Sequence, residues 1–258
     1  MKSNRIMWIL VSIVVFATIS VSVTTLRSQE VSCGIQDKSA QEKQTLADFE
    51  SQFPVADYNA PEETDSQRRT KRKAKNSRYD NSKFVSRDIE NEVTEHVIVA
   101  EFPPLSAIPV KESDVIVVGE VIQAQAFVSN DKTNVYSEFA VRIEELLKNN
   151  TSNALSQGNE IAIDRIGGFV RFPNGNKILH RIQGQLMPRV GKRYVFYLTK
   201  TEESPNYRIL TGYELNAKGI SPLDKRVQYD KYKSIDATSF LKAVRDEIAQ
   251  LSQSNPKE

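Results

Sequence analysis

From residue 114 onward the chain runs in short β-patterned segments, each closed by a turn signal, and this spacing limits the fold more than any other feature. Val115-Ile116-Val117-Val118-Gly119-Glu120-Val121-Ile122 is β-branched and too short to cross a membrane, with Gly119 placed where a bent central strand tolerates a bulge. The turn Ser129-Asn130-Asp131-Lys132 follows. Val135, Ser137, Phe139, Val141 and Ile143 then alternate with Tyr136, Glu138, Ala140, Arg142 and Glu144, giving one buried and one wet face and predicting a β-hairpin. Ile161 and Ile163 mark the next strand, and Gly167-Gly168 marks a corner before Phe169-Val170-Arg171-Phe172. Pro173-Asn174-Gly175-Asn176 supplies residues that tolerate positive φ for a tight return through residues 177–182. Gly191-Lys192-Arg193 launches Tyr194-Val195-Phe196-Tyr197-Leu198, and a last strand covers residues 207–214. About seven short strands in roughly 100 residues predict a mainly β fold, either a sandwich or a small closed antiparallel barrel; long bent first strands with glycines at corners favour the barrel.

Flanking segments complete this domain. Phe240, Leu241, Val244, Ile248 and Leu251 recur at helical spacing, with Asp236 or Ser239 available as caps and Pro256 beyond the end. They predict one amphipathic helix packed on the barrel. Residues 93–100 read as a short edge strand, closed by Phe102-Pro103-Pro104-Leu105, whose prolines cannot continue a ladder.

The N-terminus predicts location. Lys2 and Arg5 precede an apolar run of about 18 residues, 6–23, interrupted only by Ser12, Thr18, Ser20 and Ser22, long enough to cross most of a bilayer core. It reads as an uncleaved anchor or, with Ser20-Val21-Ser22 before a cut, as a cleaved signal peptide. Positive residues before the run and acidic ones after it place the bulk of the chain outside the cytoplasm, secreted or membrane-anchored. Cys33 is the only cysteine, so no internal disulfide forms; with only His96 and His180 to assist it, no zinc set is readable and no cofactor is expected. Glu30-Val31-Ser32 before Cys33 makes a poor lipidation box. The net charge of +2 names no nucleic-acid partner and none is expected; the membrane, through residues 6–23, and an unidentified protein or polymer are the partners implied.

Between these ends lies a charged stretch. Residues 30–65 carry nine acidic and two basic side chains, and residues 68–78 carry seven basic ones, a segregation expected of a solvated linker. Arg68-Arg69-Thr70-Lys71-Arg72-Lys73 fits a charged spacer, a dibasic processing site, a nuclear signal or an anionic-polymer patch. The expected division is a membrane segment over 1–26, a disordered charged linker over 27–92, and a barrel with its helix over 93–258.

Residues 114–121, the strand of Phe139 ending Leu146-Leu147-Lys148, and residues 191–198 together make a pattern that resembles the barrel of tissue inhibitors of metalloproteinases and netrin-type modules, and that of many exported bacterial proteins. The resemblance covers about 110 residues and implies an OB-like fold. The inhibitors' N-terminal cysteine pair, which chelates the protease zinc, has no counterpart in Cys33.

Candidate chemistry is sparse. Asp164 and His180 fall on adjacent expected strands and suggest an acid/base pair for a hydrolase, against a structural or exposed role for a lone histidine. Glu144-Glu145 and Glu202-Glu203 are carboxylate pairs at strand ends, where solvated charge is the ordinary role. Asn149-Asn150-Thr151 and Asn150-Thr151-Ser152 are overlapping glycosylation acceptor patterns that turn chemistry explains equally well. Arg171, Arg181, Arg193 and Tyr194 are the residues most suited to a basic and aromatic ligand groove. With no nucleophile and base, metal set or phosphate loop readable, the expected function is a membrane-tethered extracytoplasmic binding or interaction module; the alternatives are a hydrolase using Asp164 and His180 or a protease-inhibitor-like module.

Overall fold

The structure, a computed structural model, describes residues 48–80, 94–99, 105–201, 206–233 and 235–254, and the backbone of 85–90. The chain divides into two compact units, Met1–Ser51 and Gln52–Glu258. In the first, the described residues are 48–51, where the Ser51 hydroxyl donates to the Asp48 carbonyl over 2.8 Å. Residues 6–23, Cys33 and Glu202-Glu203 lie outside the described residues. Among the described ones, no helix is long and apolar enough to cross a membrane.

The second unit is mainly β. Its elements are β1 (Val55–Asp57), α1 (Ser66–Ser77), β2 (Val85–Glu90), β3 (Thr94–Val99), β4 (Val115–Val128), β5 (Val135–Asn149), β6 (Glu160–Ile166), β7 (Gly168–Arg171), β8 (Lys177–Ile182), β9 (Arg193–Lys200), β10 (Tyr207–Asn216) and β11 (Gly219–Pro222), then a 3₁₀ turn over Val227–Tyr232 and α2 (Ala237–Ser254). They form two sheets. In the larger, pairing returns on itself in the order β4, β5, β6, β10, β9 and back to β4, with β11 appended to β10. Four of these pairings are antiparallel, but Tyr207 and Arg208 of β10 run parallel to Ile163 and Asp164 of β6. The expectation of a purely antiparallel barrel is corrected here for a geometric reason. Strand direction cannot alternate all the way around a ring of five, so one pair must be parallel.

The second sheet runs in the order β1, β7, β8, β3, β2. β3, expected at an edge, is internal: Val97 pairs with Arg87 of β2 on one side and with Arg181 of β8 on the other. Gly167 and Gly168, at φ 118° and 145°, carry the chain from the ring into this sheet. At φ 118° the corner favours glycine through its backbone, and a Cβ on Gly167 would also lie 3.0 Å from the His180 carbonyl oxygen. Gly119 sits at a register shift of β4, where a Cβ would lie 2.6 Å from Val141 Cγ1 and 2.7 Å from the Arg142 carbonyl.

Burial explains the continuous apolar run of β9. Tyr194, Val195, Phe196, Tyr197 and Leu198 all have no solvent exposure. Alternation sends Val195 and Tyr197 outward into a cluster with Ile116, Val118, Tyr213, Phe240 and Val244, under α2, and turns Phe196 and Leu198 to the other face. Asp236 caps α2, its Oδ1 accepting the Ser239 N–H over 2.9 Å. Phe240 and Val244 are fully buried, each contributing roughly 1.5–3 kcal/mol of transfer free energy.

Residues 52–80 depart from the expected disordered linker. Val55 pairs in parallel with Phe169 of β7, and residues 66–77 form α1. Phe53 packs edge-on against Phe169 and Ala56 joins Ala126, Val135 and Val170, while the cations of α1 and Tyr79 find partners on the ring; isolated apolar residues in a charged segment do not register docking of that kind.

Candidate functional site

α1 begins at Asp65, whose side chain accepts the Arg68 N–H over 2.8 Å. Its sequence has no apolar stripe. Instead Arg72, Lys75, Asn76 and Tyr79 recur at helical spacing, and all four engage the outer face of β4, β5 and β6. The Arg72 guanidinium lies 3.7 Å over the Phe127 ring, donates to the Tyr136 hydroxyl over 3.0 Å and pairs with Glu138. Lys75, 5% exposed, reaches Glu138 at 3.0 Å and Asp164 at 3.6 Å. Tyr136 donates to Asn76 Oδ1 over 2.7 Å and stacks on Tyr79 with ring centroids 4.1 Å apart. Asn134 Nδ2 donates to the Tyr79 carbonyl, and Asn130 Nδ2 donates to that of Lys73.

Asp164 is the buried centre of this contact. Tyr79 donates to its Oδ1 over 2.7 Å, Arg78 lies 3.5 Å from Oδ2 and Arg208 lies 4.0 Å from Oδ1. Burial first, and then the Asp164 charge, push the Tyr79 phenol well above the ordinary tyrosine range; burial and then Glu138 do the same to Tyr136. Burial opposes the Arg72 charge, but Glu138 and the hydrogen bonds outweigh it and the net shift is upward. Arg72, Lys75, Arg78 and Arg208 surround the carboxylates of Glu138 and Asp164, so this face of the unit is cationic.

Beside the helix opens a cleft of about 530 Å³, within the range of about 300–1,000 Å³ usual for ligand sites. α1 forms one wall with Arg69, Arg72, Lys73 and Asn76; residues 55–58 of β1 and its exit form the other; Arg171 of β7 and Lys132 add cations. The floor is the continuous run 125–130. Within that run Ala126 is buried in a cluster with Ala56, Val135 and Val170, and Phe127 and Val128 are half-buried. β9 pairs with β4 only over Val115 to Glu120, and Val121 is still bonded to Lys192 and Gly191. Beyond that point no described strand pairs with β4 on this side.

Two aromatic rings stand at the cleft. Tyr58 stacks on Phe172 with centroids 4.9 Å apart, and Lys132 Nζ lies 4.2 Å over its face. Lys132 takes φ 60° in a turn organised by Asp131 Oδ1, which accepts from Ser129 Oγ, Thr133 N and Thr133 Oγ1. Phe127 lies beneath Arg72. Lys73 is paired with Glu62 at 2.9 Å, whereas no ion pair among the described residues holds Arg69, Lys132 or Arg171.

Of the four residues singled out for a groove, Arg171 alone lines this cleft. Arg181 is paired with Glu95 at 2.7 Å in the second sheet, and Arg193 with Glu144 at 2.5 Å on the ring. Tyr194 is fully buried; its oxygen accepts the Arg189 N–H over 2.9 Å, and burial first pushes its phenol up to about 12. The expected groove residues are divided between the sheets: Arg171 and Arg181 stand on β7 and β8 of the second sheet, Arg193 and Tyr194 on β9 of the ring. Asp164 and His180 do not meet: Asp164 is held by the α1 segment, while the His180 ring lies 4.8 Å from that of His96. Glu144 and Glu145 pair with Arg193 and Arg245. Asn149 Oδ1 accepts from Thr151 N and Oγ1, the turn chemistry anticipated for the 149–152 loop. Among the described residues no group of three or more His, Cys, Asp or Glu could hold a metal ion.

Sequence reasoning passed over Tyr58, Arg69, Phe127 and Lys132 as site residues. One signal was present: Arg72, Lys75, Asn76 and Tyr79 share a helical face, and Asp164 interrupts the apolar run Ile161-Ala162-Ile163. No protein-family model matches the sequence, and no curated protein is detectably similar to it.

Proposed function

We propose that this chain is a non-enzymatic binding module, tethered to the membrane by residues 6–23 and displayed outside the cytoplasm, that takes an anionic ligand in the cleft between α1 and β1. In this reading the five-strand ring is an OB-type barrel, with β4, β5, β6, β9 and β10 as its strands in order. The observation that carries it is the set Arg69, Lys132 and Arg171, three cations that no ion pair among the described residues holds, standing beside the rings of Tyr58 and Phe127.

Barrels of this type bind along their second and third strands and the adjacent loops. Here that face is Tyr136, Glu138 and Asp164, and α1 covers it. The remaining opening lies beside the helix, along β4 and the turn that follows it. The experiment is a titration of the full chain in detergent micelles with two anionic polymers, polyglutamate and an alginate. An Arg69→Ala/Arg171→Ala variant is the control, since both side chains stand on the cleft rim. Saturable binding to either polymer that weakens at least about fivefold in the variant is expected. Absence of binding to both, or binding indifferent to the variant, removes the reading.

A further inference from the structure

We infer that α1 carries a proteolytic processing site: an endoprotease that reads paired basic residues hydrolyses the Arg69–Thr70 bond and separates residues 1–69 from a ring that stays folded. The inference goes beyond the reading of the cleft and stands without it.

The sequence holds four pairs of basic residues that end in arginine: Arg68-Arg69, Lys71-Arg72, Lys192-Arg193 and Lys225-Arg226. A protease uses such a pair only where the chain opens locally, so the contacts that oppose opening decide among them. Three pairs are tied to distant parts of the fold. The Arg72 guanidinium lies over Phe127, donates to Tyr136 and is held by Glu138. The Lys192 carbonyl accepts the Val121 N–H, and Arg193 stands in β9 between Glu120 of β4 and Leu215 of β10. Lys225 donates its N–H to the Gly184 carbonyl over 2.7 Å.

Arg68-Arg69 is held by its own turn of helix. The Arg68 N–H bonds Asp65 Oδ1 and the Arg69 N–H bonds the Asp65 carbonyl, and no ion pair among the described residues holds either side chain. Ser66, Gln67, Arg68, Thr70 and Lys71 are exposed. Every α1-segment residue that engages the ring, from Arg72 through Lys75 and Asn76 to Tyr79, lies C-terminal to the Arg69–Thr70 bond. A helix of 12 residues with no apolar stripe is marginal wherever nothing docks it, so its first turns fray while Arg72 stays in place. Acidic pockets of the protease receive the two guanidinium groups. Water then adds across the amide: the C–N bond breaks, the water oxygen joins the Arg69 carbonyl carbon as a carboxylate, and the Thr70 nitrogen leaves as an ammonium. Under the reading of 6–23 as a tether, the cut severs the ring from its anchor.

The probe is a kexin-type endoprotease, which cuts after paired basic residues, added in trace amount to the full chain in detergent micelles, with the cuts mapped by mass spectrometry. Short peptides centred on each pair are the references and remove the enzyme's own preference among pairs. Relative to its peptide, the Arg69 site should be cut at least about tenfold faster than the sites at Arg72, Arg193 and Arg226. The far-ultraviolet dichroism of the sheet should persist after the cut. Arg68→Gln breaks the pair without removing an ion pair of the described residues, and should slow the cut about tenfold or more. A first cut at any of the other three pairs, a cut at Arg69 indifferent to Arg68→Gln, or loss of the sheet signal with the cut overturns the inference. Resistance of the native chain at all four sites, with the peptides cut, overturns it as well. The map is made in micelles on the chain without ligand, so neither the tether nor the cleft enters its outcome.

Discussion

Tyr79 donates a 2.7 Å hydrogen bond to Oδ1 of Asp164, a carboxylate with no solvent exposure, across 85 positions of sequence. The contact pins the end of α1 to β6, and two substitutions separate its parts. Tyr79→Phe removes one donor to a charged acceptor and should cost about 1.5–3 kcal/mol. Asp164→Ala leaves Lys75 and Arg78 short of their shared counter-charge at a buried site and should cost more, on the order of 3–5 kcal/mol. Urea unfolding of both variants measures the difference. An Asp164→Ala variant no less stable than Tyr79→Phe would show that Asp164 is not the centre of the contact.

α1 is held through charge rather than apolar burial, so its docking should respond to a single carboxylate. Glu138→Gln removes the partner of Arg72 and Lys75. Tryptic cutting after those two residues should then quicken roughly tenfold, because cutting follows the population of the undocked helix. Lys218, in the turn between β10 and β11, serves as the internal reference and should be cut at an unchanged rate. Half-molar salt should act in the same direction as the substitution, by screening. Equal rates at Arg72 in both proteins would mean that Glu138 does not hold the helix.

Buried tyrosines make the fold sensitive to alkali. Burial is the first cause that raises Tyr79, Tyr136 and Tyr197, and it lifts Tyr194 to about 12, above the unperturbed value near 10. A raised folded pKa means that above pH ~10 the native chain holds protons that the unfolded chain releases. The associated stability is therefore complete below pH ~10 and is lost as the pH rises toward about 12. Absorbance of tyrosinate, followed together with circular dichroism, should show these phenols ionising as the sheet unfolds. Full ionisation of all nine tyrosines near pH 10 with the dichroism intact contradicts their burial.

The proposed location is open to a direct test. Fusion of a periplasmic phosphatase or a cytoplasmic fluorescent reporter to the C-terminus should give an active phosphatase, since Lys2 and Arg5 precede the apolar run 6–23. A fluorescent cytoplasmic fusion with an inactive phosphatase fusion would remove both the tether and the extracytoplasmic display.

Local patterns decided the parts of this protein that depend on neighbours in sequence. The alternation through Val135 to Ile143, the glycines at 119, 167 and 168, the turn at Pro173-Asn174-Gly175 and the apolar spacing of Phe240 and Val244 each state a conformation within a few residues, and β4, β5, β7, β8 and α2 follow them. The run Tyr194 to Leu198 likewise announced a strand, and the structure covers both of its faces. Tertiary structure decided the rest. Whether β10 closes onto β6 in parallel, and whether β8 joins β9 or β3, depends on which edges meet, and strand periodicity is the same in either case. α1 is a charged run until Glu138 and Asp164, more than sixty positions away, turn one side of it into a docking face. The cleft depends on that docking. Tyr58, Arg69, Phe127 and Arg171 come from four separate stretches of the chain and share a site only because α1 and β1 both come to lie beside the end of β4.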